Sequence, residues 1–129
     1  MKDFDNWNKK KKETHNQKER LYFRSGEIWW VKLGINIGYE TDGKSSDFTR
    51  PVLILKKYNK YSFLAIPLTS KSKLGLYYFP IGEVDGKEAV AILSQLRNID
   101  SLRLVNKVEV LEEEMLRKIK KAVKRANSL

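Results

Sequence analysis

Cysteine is absent from this 129-residue chain, and histidine occurs once, at His15. Without cysteine there is no disulfide scaffold, no thiolate nucleophile and no Cys-ligated zinc or iron–sulfur site. A single histidine excludes multi-histidine metal sites, and because it lies in a polar stretch near the start, no Ser-His-Asp set is expected in the body. No phosphate-cradling G-x-x-x-x-G-K-[ST] loop occurs. No run of 18 apolar residues is present, so no membrane-spanning helix is expected. The opening residues, MKDFDNWNKKKK, lack the apolar stretch of a secretory signal. The expectation is a soluble, cytoplasmic protein with neither metal nor cofactor. At 41% hydrophobic residues it has enough apolar material for one packed domain.

What the chain does have is positive charge: 26 Lys and Arg against 16 Asp and Glu, a net charge of +10. Its two ends carry most of the excess. Between Phe48 and Gly82 stand six cations, Arg50, Lys56, Lys57, Lys60, Lys71 and Lys73, and no acid. A one-sign stretch of this length suits a polyanionic partner, although a solvated lysine surface would read the same way.

Residues 1–24 read as a basic arm or short helix, with Phe4 and Trp7 as apolar anchors and a lysine run at Lys9–Lys12. Residues 25–129 form the expected domain. Strands are predicted at 26–33, 51–58, 61–68, 76–81, 88–96 and 107–110, from β-branched and aromatic runs bounded by turn residues. Pro51 is placed at the start of its strand because it cannot donate to a ladder. Asn59-Lys60 is read as a tight hairpin, Asp85-Gly86 as a turn, and 98–104 as a single helical turn. Leu111, Met115, Ile119, Ala122, Val123 and Ala126 recur at helical spacing, so a helix is predicted over 111–126. Glutamates fill its first turn and Lys and Arg its last, complementing the helix dipole. Short strands followed by one terminal helix indicate a mostly β fold with helices, a small SH3-like antiparallel barrel with the helix as a lid.

Carboxylate, guanidinium and hydroxyl groups are then the chemistry available. They suit RNA cleavage, because RNA supplies its own nucleophile, the 2′-hydroxyl. A carboxylate can accept the proton, and an arginine can fork two phosphate oxygens. Five blocks in order, Gly26-Glu-Ile-Trp-Trp-Val, Asn36-Ile-Gly-Tyr-Glu40, Arg50-Pro-Val-Leu-Ile-Leu, Pro67-Leu-Thr-Ser70, and Ile92-Leu-Ser-Gln-Leu-Arg97 followed by Ile99-Asp100 and Arg103-Leu104, resemble the MazF/PemK toxins. The resemblance covers residues 25 to about 115. It implies a homodimer that cleaves single-stranded RNA without metal and is blocked by a cognate antitoxin. It also implies catalytic roles for Arg50, Thr69 and Glu40, and RNA contacts from Ser70, Lys71, Lys73, Gln95 and Arg97. The loop from Glu40 to Arg50 is longer than in the shortest family members, so Asp42 or Asp47 is an alternative acid.

Each residue also has a plainer reading. Arg50 could pair with Asp47 or Glu40, although Pro51 holds it extended on a rigid element. Thr69 could be an ordinary strand residue. Gln95 and Arg97 are expected on one strand face at i, i+2, with a salt bridge as the dull option for Arg97. Trp29 and Trp30 should point to opposite faces, one into the core and one to a loop or dimer contact. Tyr77, Tyr78 and Phe79 are either base-stacking or core residues. The rival functions are a CcdB-like toxin that binds DNA gyrase, on the same barrel, and a barrel that binds RNA without cutting it.

Overall fold

The computed structural model describes residues 19–33 and 49–129. Its elements run β1 (Glu27–Lys32), β2 (Thr49–Lys57), β3 (Ser62–Thr69), β4 (Tyr78–Val84), β5 (Lys87–Ile92), β6 (Arg97–Asp100), a 3-10 turn (Ser101–Arg103), β7 (Leu104–Val110) and α1 (Glu113–Ala126). The strands form one antiparallel sheet in the order β4-β5-β3-β2-β1-β7, with β6 on the remaining length of β3. No helix among the described residues is long and apolar enough to cross a membrane.

Both faces of the central strands are covered, which is why β2 and β3 read as nearly continuous apolar runs. On one face Ile28, Leu53, Leu55, Ile66 and Leu68 pack with Ile119, Val123 and Ala126 of α1. On the other, Trp29, Val31, Val52, Ile54, Phe63 and Ala65 pack with Phe23, Leu33, Ile99 and Leu104. Phe23, from the segment before β1, is fully buried with its ring 5.0 Å from that of Phe63. Burying such a side chain contributes about 1.5–3 kcal/mol. Register shifts between β1 and β7, β2 and β3, and β4 and β5 add local twist and curl the sheet. The result is the mostly β, barrel-like fold with a C-terminal helix that the sequence implies.

Several local expectations are corrected. Pro51 is the third residue of β2, opposite Trp30; the ladder to β3 starts only at Val52–Pro67, so Pro51 has a strand neighbour on one side alone. The β2–β3 hairpin spans four residues, Tyr58–Tyr61, because Asn59 Oδ1 accepts from the Tyr61 and Ser62 N–H groups, at 2.8 and 3.1 Å. The predicted strand 88–96 ends at Ile92, where a turn at Leu93 and Ser94 shifts the register before β6 resumes on β3. The region 98–104 is therefore strand first and 3-10 turn second. The helix starts at Glu113 because the Leu111 N–H still donates to Gly26 O, at 2.9 Å. Asp85-Gly86 forms a two-residue hairpin turn with both residues at positive φ.

Candidate active site

The hairpin between β2 and β3 returns the end of β3 to the start of β2. The last observed β2–β3 pair is Val52–Pro67, and Arg50 and Thr69 lie two residues beyond it on their strands, where Arg50 pairs with Val31 of β1. Residues 19 positions apart in sequence thus lie at the same end of the sheet. Arg50 is only 5% exposed, and its Nε donates to Leu68 O at 3.2 Å. That bond anchors one edge of the guanidinium to the strand that carries Thr69. A cation so desolvated interacts more strongly with a nearby anion than a surface cation would. Thr69, also buried, closes β3 and is paired with Val90 of β5 on its other side. Its Oγ1 accepts from the Lys71 N–H at 3.2 Å, and a hydroxyl that accepts in this way still has a proton to donate.

Ser70, Lys71 and Lys73 follow directly in the β3–β4 connection, all exposed. Beside them a cavity of about 320 Å³ is lined by Trp30, Pro51, Leu68, Thr69 and Ser70, with Asp85 and Glu88 from the β4–β5 hairpin. Trp29 is the core tryptophan, its Nε1 donating to the buried Glu27 carboxylate at 2.9 Å, while Trp30 lines the cavity. Tyr77 is exposed, and Phe79 packs against the core.

Arg97 stands on β6 opposite Ala65, four residues along β3 from Thr69 and on the order of 13 Å away along the strand. Gln95 does not share its face. It lies in the bend after β5, its N–H donating to Ile92 O, because the turn at Leu93 and Ser94 interrupts the expected strand. Glu40, Asp42 and Asp47 lie outside the described residues. Sequence reasoning did not single out Arg103. Its Nη1 donates to Lys32 O at 3.0 Å, at the end of β1 that pairs with Thr49. Burial, followed by the positive charge of Arg97, pushes the Arg103 guanidinium below the usual arginine value, with Asp100 acting the other way. Arg103 is thus a half-buried arginine near enough to Arg97 to feel its charge. Only the Arg103-Leu104 pair in the family-like blocks hinted at it.

Residues 24–126 match the family described as PemK-like, MazF-like toxins of type II toxin–antitoxin systems. The chain belongs to this toxin family. The matched span contains Arg50, Thr69, Ser70, Lys71, Lys73, Gln95, Arg97 and Arg103. Among the toxin's relatives, the endoribonuclease EndoA of Bacillus subtilis (strain 168) is 28% identical over 112 residues, which cover 80% of this chain and 92% of EndoA. The crystal structure of MazF from Deinococcus radiodurans superposes with a TM-score of 0.66 at 22% identity, covering 81% of this chain and 96% of its own. The Mycobacterium tuberculosis toxin MazF-mt6 superposes at 0.62 with 17% identity, covering 80% and 97%. A mycobacterial endoribonuclease in complex with its cognate antitoxin gives 0.64 at 16% identity, covering 84% and 97%. At these identities the solved structures show that the toxin shares their fold.

Proposed function

We propose that this toxin is an endoribonuclease that cleaves single-stranded RNA, messenger RNA in the cytoplasm being the intended substrate, and that a cognate antitoxin restrains it. The observation that supports the reading is the bond from the buried Arg50 guanidinium to Leu68 O, the residue before Thr69, whose hydroxyl is held by a backbone N–H. Family membership and the resemblance to EndoA support it.

In the proposed reaction the 2′-hydroxyl of the substrate attacks the adjacent phosphorus. Glu40 accepts its proton. Arg50 forks two phosphate oxygens, and Thr69 donates to one of them as charge accumulates. An arginine keeps its proton at neutral pH and is a poor proton donor, so Arg50 acts by electrostatic stabilisation. The P–O5′ bond breaks, and the departing oxygen takes a proton from solvent. The products are a 2′,3′-cyclic phosphate and a 5′-hydroxyl, and the chemistry requires neither metal nor cofactor. Ser70, Lys71, Lys73, Gln95 and Arg97 hold the strand. A homodimer sets two such sites along one groove, and an acidic, partly apolar antitoxin segment occupies that groove in place of RNA. The test is incubation of the purified toxin with a long RNA in EDTA, beside the Thr69→Val variant. Cleavage by the wild type that slows about tenfold or more in a folded variant supports the reading. A wild type that leaves RNA intact while inhibiting DNA gyrase would overturn it.

A further inference from the structure

The acid-free basic stretch from Phe48 to Gly82 does not form one surface. Lys71 and Lys73 follow Thr69, whereas Lys56, Lys57 and Lys60 lie at the opposite end of β2, at and beside the β2–β3 hairpin. Lys57 is seven positions along the strand from Arg50, on the order of 23 Å away. The proposed active site therefore leaves half of the basic stretch unused.

At that far end the segment before β1 adds two more cations and an aromatic ring. Tyr22 is 70% exposed, with Lys57 Nζ 4.4 Å and Arg24 Cζ 5.4 Å from its ring centroid. Tyr61, half exposed, has Arg20 Cζ at 4.8 Å and Lys60 Nζ at 5.1 Å. Tyr58, in the same hairpin, is also exposed. The carboxylates nearby are largely engaged. Glu27 is buried against Trp29 and Arg24, and Asp100 is bound by Arg20 at 2.6 Å, leaving Glu19 exposed in the chain. Arg20 also donates to Ser101 Oγ at 2.8 Å, and Lys57 Nζ to Phe23 O at 3.0 Å, so the segment is fastened to the sheet. Arg20 and Tyr22 precede the family-matched span, which starts at residue 24.

We infer that this end of the sheet is a second binding surface for single-stranded RNA, separate from the Arg50–Thr69 site, on which bases stack against Tyr22 and Tyr61 while Lys57, Lys60 and Arg24 take the phosphates. Exposed aromatic side chains whose rings are flanked by long, mobile cations are what a sequence-tolerant single-strand platform requires, since every base has a π-face and every nucleotide a charge. A long RNA engaged at both ends of the sheet gains affinity through the raised effective concentration at the second site. The inference rests on the reading that the toxin's substrate is RNA.

The test uses 2′-O-methyl RNA, which lacks the attacking hydroxyl, in a long form and in a short form that reaches only the Arg50 end. Binding is followed by fluorescence anisotropy for the wild type and for Tyr22→Ala/Lys60→Glu/Tyr61→Ala, with Tyr22→Ala alone as the milder variant should the triple variant fold poorly. The triple variant should bind the long RNA about tenfold or more weakly, bind the short RNA as the wild type does, and still cleave short unmodified RNA. Equal binding of the long RNA by wild type and variants would overturn the inference, as would equal weakening for long and short RNA. If the wild type cleaves no RNA yet the long-RNA effect is present, the cleavage reading falls and the surface stands. If cleavage is intact and the effect is absent, the surface falls alone.

Discussion

Replacing Arg50 with alanine has two separable consequences that can be sized from its surroundings. Structurally, the Leu68 carbonyl loses the donor it has at 3.2 Å, which costs about 1–3 kcal/mol for a buried group. A domain with a stability of about 5–15 kcal/mol survives that loss, so the variant should fold with a lowered melting temperature. In the proposed mechanism, removing a preorganised charge that stabilises the developing phosphate anion should cost about 3–4 kcal/mol of barrier, a fall in kcat of about 10²–10³. Arg50→Lys restores the charge but not the planar fork, and should recover little of the rate. Arg97→Ala is the comparison. It should act through binding and leave kcat within a few-fold, with the slope of log affinity against log salt smaller by about 0.7 for each phosphate no longer neutralised. The assay is single-turnover cleavage of a fluorogenic RNA at saturating protein, with thermal melts of every variant. A folded Arg50→Ala protein within tenfold of the wild-type kcat would refute the assignment, as would equal kcat losses for Arg50→Ala and Arg97→Ala.

Thr69→Val is nearly isosteric and removes only the hydroxyl. It should cost about 1 kcal/mol in stability, from the orphaned Lys71 N–H, and about 10–100-fold in kcat, the worth of a hydrogen bond to a charged group; an unchanged kcat would exclude the hydroxyl from the chemistry. Burial, the largest single influence on the Asp100 carboxyl, raises its pKa, but the Leu102 N–H, the Arg20 hydrogen bond and charge, and Arg103 outweigh it and hold it below 3.8. A carboxyl depressed in the folded state stabilises above its unfolded pKa of about 4, and that contribution is lost as pH falls through the folded value. Asp100→Asn keeps the acceptor for Leu102 but not the charge, so urea midpoints should fall less steeply below about pH 4 than in the wild type; identical pH dependence would refute the pairing with Arg20. Gly26 has φ +91, and an added Cβ would meet Leu116 Cδ2 at 3.3 Å. Gly26→Ala should therefore lower stability by at least about 1 kcal/mol in denaturant titration, and a neutral result would mean that the turn before β1 relaxes readily.

The strands and helix were legible where composition and period agreed. The apolar runs of β2 and β3 are long enough to be buried on both faces, and the glutamate-to-lysine polarity of α1 marks both its ends. The hairpin joining β2 to β3 explains why Arg50 reaches Leu68, beside Thr69, because an antiparallel return brings the end of β3 back to the start of β2. Interruptions were harder to see. The turn at Leu93 and Ser94 lies inside an apolar run whose period carries no break, and it moved Gln95 off the strand face of Arg97. Phe23 sits in a polar, basic neighbourhood that reads as an arm, and only the sheet's second face reveals why it is fully buried. Arg103 acts through a backbone carbonyl 71 residues away, a relation that no local pattern carries.

In the proposed mechanism Arg50 and Thr69 assist attack by the RNA's own 2′-hydroxyl. It is tested most directly by mass spectrometry of the ends left on a defined single-stranded RNA cut by the purified toxin in EDTA. That mechanism leaves a 2′,3′-cyclic phosphate on the upstream fragment and a free hydroxyl on the 5′ end of the downstream one. A 5′-phosphate on the downstream fragment, or cleavage that stops in EDTA, would contradict it.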